Sequence, residues 1–231
     1  MDHYEREPRP VEPLFHGDGA GCRLCIELKH PSEGFFSRAY PEFEGLGPLY
    51  VGDHVSVIYP VGPLCVGHVL VATRTHANSF SNAGSAAQHE LKRVLQRLGS
   101  AFEERGYELL FFEHGSNELT PNLGSCCLDH AHTNVLPVRP GINLAATLEE
   151  SGIFVEMRLD ELAQGHLETP YLLCGQRDSV FTARALGGTS QFFRRLLGPL
   201  LGTPAWDWRS DARADVVAMT SSFFAGMAFS E

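Results

Sequence analysis

The chain has 231 residues, 43% hydrophobic and 20% charged, with a formal net charge of −10. That length builds one sizeable core, alone or with an appended lobe. The balance is that of a soluble globular protein and excludes a general attraction for a nucleic-acid backbone.

No apolar run approaches the roughly 18 residues that cross a bilayer, so neither nucleic acid nor membrane is expected as a partner. Met1 to Pro13 mixes charges and prolines and lacks the apolar segment of a secretory signal. Residues 1–19 read as a flexible arm and the chain as cytoplasmic. Structural disulfides are uncommon there, so the six cysteines read first as core residues or metal ligands. Cys65 and Cys174 sit in apolar stretches and read as core.

Residues 22–48, rich in Gly, Pro and Phe, read as a loop-dominated segment hung on Cys22 and Cys25. Leu49 to Pro60 is β-like, with Val55, Val57 and Tyr59 alternating, and His68 to Ala72 is a second strand. Leu91, Val94, Leu95, Leu98 and Phe102 recur at helical spacing within a helix over 85–106, which Gly106 stops. Leu109 to Glu113 is a buried strand, 114–124 a polar loop, and His130 to Leu136 an alternating strand ended by Pro137 and Pro140. Farther on come a short helix over 159–166, strands at 171–174 and 179–181 joined by a turn, and an amphipathic helix over 190–201. This order predicts an α+β fold: an antiparallel sheet with packed helices over 20–140, plus a C-terminal α/β extension over 141–231 packed on that core.

The chemistry concentrates in Asp129-His130-Ala131-His132-Thr133-Asn134. Alternate residues of a strand share a face, so His130, His132 and Asn134 point one way. An imidazole attacks phosphorus to form a phosphoramidate that a second acceptor then breaks. Ser125 and the backbone around Gly124 are candidate donors to the phosphate oxygens. An isolated His-x-His is more often two satisfied histidines; its surroundings alter that balance.

Here the sequence resembles the histidine-triad (HIT) superfamily. The pattern of three alternating histidines stands as His130-Ala131-His132-Thr133-Asn134-Val135-Leu136-Pro137. Gly67-His68-Val69-Leu70-Val71, then Arg74-Thr75-His76, is similar to the family's upstream Gly-His segment. The resemblance covers roughly residues 20–140. It implies a nucleotide hydrolase or nucleotidyl transferase with His132 as nucleophile, its other ring nitrogen fixed by a backbone carbonyl. It implies a nucleotide or nucleotidylated small molecule as partner, no organic cofactor, and the homodimer common among small members.

Two departures stand out. The third histidine position is Asn134, where the transferase branch has Gln. An amide hydrogen-bonds phosphate but exchanges no proton at neutral pH, which leans the reading toward transfer. Pro60-Val61-Gly62-Pro63-Leu64 carries no carboxylate for ribose hydroxyls. His114 is a candidate phosphate or leaving-group contact, with Glu113 beside it; for His114 a plain surface histidine is the equal alternative.

Cys22-Arg23-Leu24-Cys25 is half a tetrahedral zinc site. A redox pair or two unrelated core thiols are the competing readings. The resemblance to zinc-bearing HIT proteins completes the ligand set as Cys22, Cys25, His76 and His130. Arg194, Arg195, Arg209, Trp206 and Trp208 cluster in the extension. They suit either a polyphosphate and a base or, more simply, a lobe core with surface ion pairs. Two other readings stand beside the leading one: the same chemistry on a specialised nucleotidylated metabolite of natural-product biosynthesis, and a catalytically weak nucleotide-binding module.

Overall fold

The computed structural model describes residues 21–116, 130–157, 170–185, 191–203 and 206–227. The expected helix over 159–166, together with Gly124, Ser125 and the N-terminal arm, lies outside them. Among the described residues one eight-stranded sheet runs in the order β1-β2-β3-β5-β4-β7-β8-β6. The strands are β1 (Tyr50–Val51), β2 (Val55–Ile58), β3 (Val69–Thr73), β4 (Glu108–Gly115), β5 (His132–Val138), β6 (Val155–Met157), β7 (Tyr171–Gln176) and β8 (Ser179–Arg184). Every pairing is antiparallel. The extension continues the sheet, with β7 pairing with β4 along its whole length, and its helices also pack on a sheet face.

The β-like run 49–60 divides into β1 and β2, because Gly52 and Asp53 turn the chain between them. β5 runs through Pro137 instead of stopping there. Its ladder with β3 ends at Val69↔Val135, so Pro137 faces a partner strand only on the β4 side. The loop before β3 presses on the proline: a Cβ on Gly67, where φ is +85°, would lie 2.6 Å from Pro137 Cγ. Arg177 (φ 54°) and Asp178 form the two-residue turn between β7 and β8.

The segment 22–48 is more helical than its composition suggests. It forms α1 (Arg23–Lys29) and the short α2 (Phe35–Ala39). Cys22 caps α1, its Sγ accepting from the Cys25 N–H at 3.5 Å. Glu27 serves the first turn of α2, accepting from the Phe36 N–H at 2.9 Å. Such side-chain capping lets a Gly/Pro-rich run start helices.

Helices pack on both sheet faces. α3 (Ser85–Glu103) lays Leu91, Val94, Leu95, Leu98 and Phe102 on Val57, Val71, Phe111 and Val135, the stripe its spacing predicts. On the opposite face α4 (Leu144–Glu149) and α5 (Phe192–Leu200) pack against Leu110, Phe112, Leu136 and Leu172. Leu24 of α1 packs there on Ile58, Leu70 and Ala72. The last helix, α6 (Ala214–Phe224), sends Phe224 into the α3 core. Between α1 and α5 the sheet face stays open, and there lies the site.

Candidate active site and metal centre

β5 lies between β3 and β4, so its side chains are framed by two strands. Leu70↔Asn134 and Ala72↔His132 pair on one side and Phe112↔Asn134 on the other. Strand alternation then collects His132, Asn134, Leu70, Phe112 and His114 on one face, with His68 just before β3. Glu113 and Thr133 take the other. The Glu113 carboxylate is accordingly turned toward α3, 1% exposed, and accepts from the Phe80 N–H at 2.8 Å. Adjacency in sequence put it beside His114; the pleat sends the two to opposite faces.

His132 donates Nδ1–H to the His130 carbonyl oxygen at 2.7 Å. That bond fixes the tautomer and leaves Nε2 with its lone pair on the cleft side. Burial pushes the His132 pKa below the ordinary value, so the ring is neutral at pH 7.

A second relay settles Asn134. The Leu64 N–H donates to His68 Nδ1 at 2.9 Å. Burial, aided by the charge of Arg194, pushes the His68 pKa down to about 3. The proton of this neutral ring therefore sits on Nε2 and is donated to Asn134 Oδ1 at 3.0 Å. With its carbonyl occupied, the Asn134 amide acts on the cleft as a donor through its NH2 group. Sequence gave His68 no role beyond its motif; a buried histidine one residue before a strand is the signal that was there. His114 is not a surface histidine but lies within β4, buried against Phe112 and Phe193, and is likewise pushed down to about 3, by burial and then by the nearby His132.

His132 and Asn134, with Leu70 and Phe112, floor a cleft of about 710 Å³, measured out to its open mouth; His68 and His114 lie buried behind them and do not line it. Arg23, Leu24 and Glu27 of α1 and Phe35 and Phe36 of α2 form one wall; Arg194 of α5 and Trp208 form the other. Phe35 meets Trp208 edge-on at 5.6 Å between centroids. The lining is mainly apolar and aromatic with a few convergent polar groups, as small-molecule sites are. Among the described residues, the aromatic walls and Arg194 are what sequence reading missed or set aside.

At the neighbouring end of β5, Cys22, Cys25, His76 and His130 bring their ligand atoms within 4.8 Å of one another. Cys22 and Cys25 stand three residues apart at the start of α1, on one side of its first turn. His130 Nδ1 lies 3.3 Å from Cys22 Sγ and 3.4 Å from Cys25 Sγ, and His76 Nδ1 lies 3.5 Å from Cys25 Sγ. A tetrahedral zinc with bonds of about 2.3 Å to sulfur and 2.0–2.1 Å to nitrogen holds those atoms about 3.5 Å apart. His130 Nε2 donates to the Thr73 carbonyl at 2.7 Å, which turns the Nδ1 lone pair onto the sulfurs as a metal ligand requires. Burial, with Cys22 adjacent, would hold the Cys25 thiol up to about 12; a cation reverses that. The set fits zinc.

No family model and no curated protein matches the chain. Solved structures do. Its structural neighbours include histidine-triad proteins. A hypothetical histidine triad nucleotide-binding protein from Sulfolobus tokodaii is 21% identical over 46% of this chain and 68% of its own, with a TM-score of 0.32. A zinc-bound histidine triad family protein from Mycobacterium smegmatis is 18% identical over 55% and 82%, at 0.38. A HIT family hydrolase from Clostridium thermocellum is 16% identical over 54% and 97%, at 0.37. These likenesses are distant.

Proposed function

We propose that the protein is a histidine-triad-type enzyme that cleaves or transfers a nucleoside monophosphate group through His132 Nε2. The observation that carries this is the His132 Nδ1–H bond to the His130 carbonyl at 2.7 Å, on a neutral ring at the floor of an apolar cleft.

The Nε2 lone pair attacks phosphorus, an N–P bond forms, and the bond to the leaving group breaks with its electron pair going to that group. A phosphate or nucleotide leaving group needs no proton to depart. The Asn134 NH2 group donates to a phosphate oxygen as charge builds on it. An acceptor oxygen then attacks phosphorus from the vacated side, and the N–P pair returns to Nε2. With His68 and His114 held neutral and Asn134 unable to exchange protons, an oxyanion acceptor that brings no proton suits the site better than water. Gly124 and Ser125, outside the described residues, belong to the phosphate side of this proposal. In the Cys22, Cys25, His76, His130 cluster, zinc would be structural, holding the peptide that carries the His130 carbonyl.

A second reading, the same chemistry on a specialised nucleotidylated metabolite, is favoured by the wall that Arg194 and Trp208 add to the cleft. One panel tests both. Dinucleoside polyphosphates and nucleotide conjugates are incubated with and without inorganic phosphate, with products separated by chromatography. Release of a nucleoside monophosphate or diphosphate supports the proposal. Conversion of conjugates alone selects the second reading. Binding without conversion of any compound, with no adduct on the protein, leaves a nucleotide-binding module.

A further inference from the structure

We infer that Arg194, supplied by the C-terminal extension, binds the substrate's phosphoryl group beside His132, so that the extension completes the active site rather than merely stabilising it. This rests on the nucleotide reading above.

Arg194 is the third residue of α5, next to Phe193, whose ring packs on Phe112 at 5.1 Å between centroids. That anchor turns Arg194 toward the loop before β3. The side chain is 5% exposed yet lines the same cleft as His132 and Asn134. Its Nε donates to the Trp206 carbonyl at 2.7 Å and its Nη2 to the Gly62 carbonyl. Two bonds to separate loops fix the guanidinium plane before any ligand arrives.

The charge is felt where the chemistry is proposed. It helps push down both His68 and His114, the residues flanking Asn134 and His132. A fixed guanidinium in a largely apolar cleft attracts an anionic oxygen far more strongly than one in water. Its planar donor fork matches phosphate oxygens in a way an ammonium does not. The same chain segment brings Trp208 into the cleft lining. The Gly62 loop is held by further bonds: the Gly62 N–H donates to Tyr40 Oη at 2.8 Å, and Arg213 Nη1 donates to the Pro63 and Leu64 carbonyls at 2.9 and 2.7 Å. In place of a carboxylate for sugar hydroxyls, this loop therefore presents a carbonyl that orients a phosphate-binding cation.

The test is calorimetric titration of the full chain with the four ribonucleoside monophosphates, their nucleosides, and inorganic pyrophosphate. Wild type is compared with Arg194→Gln and Arg194→Lys, whose folding is checked by thermal melting. Wild type is expected to prefer nucleotide over nucleoside. Arg194→Gln should cut that preference about 10- to 100-fold, the range of a charge-assisted hydrogen bond, with nucleoside affinity unchanged. Arg194→Lys, which keeps charge without the fork, should lose part of it and decides the matter if Arg194→Gln does not fold. Retained preference in both folded variants overturns the inference while the nucleotide reading stands. Parallel loss of nucleoside and nucleotide affinity also overturns it, because that is what a purely structural clamp gives. Pyrophosphate binding that depends on Arg194, without nucleotide binding, keeps the anion site and removes the nucleotide reading. Wild type that binds neither removes both.

Discussion

His130 joins the two halves of the site. Its ring nitrogen Nδ1 lies 3.3 and 3.4 Å from the cysteine sulfurs, while its carbonyl oxygen, 2.7 Å from His132 Nδ1, fixes the tautomer of the proposed nucleophile. Anything that lets the His130 peptide move also loosens His132. Cys25→Ser should therefore abolish stoichiometric zinc, lower the melting temperature and reduce turnover about 10- to 100-fold, the usual cost of disturbing a supporting residue. Metal analysis, melting and kinetics on one preparation check this. Full turnover in a zinc-free variant would separate the two halves.

The His68–Asn134 bond has a distinct signature. His68→Phe leaves Asn134 Oδ1 buried without its donor, which costs about 1–3 kcal/mol of stability. The effect should shrink when Asn134 is already Ala. A double-mutant cycle by urea denaturation measures the coupling, expected between about 0.5 and 3 kcal/mol. A coupling near zero would show that the relay does not hold Asn134.

Acid should destabilise the fold through two buried histidines. His68 and His114 are each pushed down to about 3 by burial, against about 6.5 in an unfolded chain. Between those values the unfolded chain binds more protons, so stability rises with pH there. Their contribution is complete above about 6.5 and is lost as pH falls toward 3. Urea melts at pH 7.5, 5.5 and 4.5 should show the decline, with a shallower slope in His68→Phe. An unchanged slope would place the acid sensitivity elsewhere.

Glu113 works in the opposite sense. Burial pushes its pKa up to about 7, so the native state holds a proton that the unfolded chain releases above about 4.5. Its contribution is lost as pH rises from about 4.5 through 7. Glu113→Gln keeps an acceptor for the Phe80 N–H and removes the charge. It should be more stable than wild type at pH 8 by about 1–3 kcal/mol and change turnover little, since the side chain faces α3. A large loss of turnover at full stability would return Glu113 to the substrate side.

Much of this site was legible in the sequence, for physical reasons that also mark where legibility stopped. The stripe from Leu91 to Phe102 has a period only a helix satisfies, and α3 follows it. Alternation around His132 gave β5 and its functional face. The cysteine spacing gave half a ligand set, and only family resemblance supplied His76 and His130, because ligands that converge from distant strands leave no local pattern. The helices at 23–39 were hidden because caps such as Glu27 on Phe36 override a Gly/Pro-rich composition. The strand through Pro137 was hidden because the proline's tolerance depends on where β3 ends. In α5 the amphipathic pattern set Arg194 beside the apolar stripe, and its clustering with Trp206 and Trp208 left a polyphosphate contact as only one of two readings. The inward turn of Arg194 is set by loops at 62 and 206, far apart in sequence.

The most direct test of His132 as nucleophile is intact-mass spectrometry of the full chain after brief incubation with dinucleoside polyphosphates and nucleotide conjugates. A mass increase of one nucleoside monophosphate in wild type, absent from a normally melting His132→Ala or His132→Gly variant, is the predicted result. An adduct that persists in both variants, or wild-type turnover that survives in them, would contradict it.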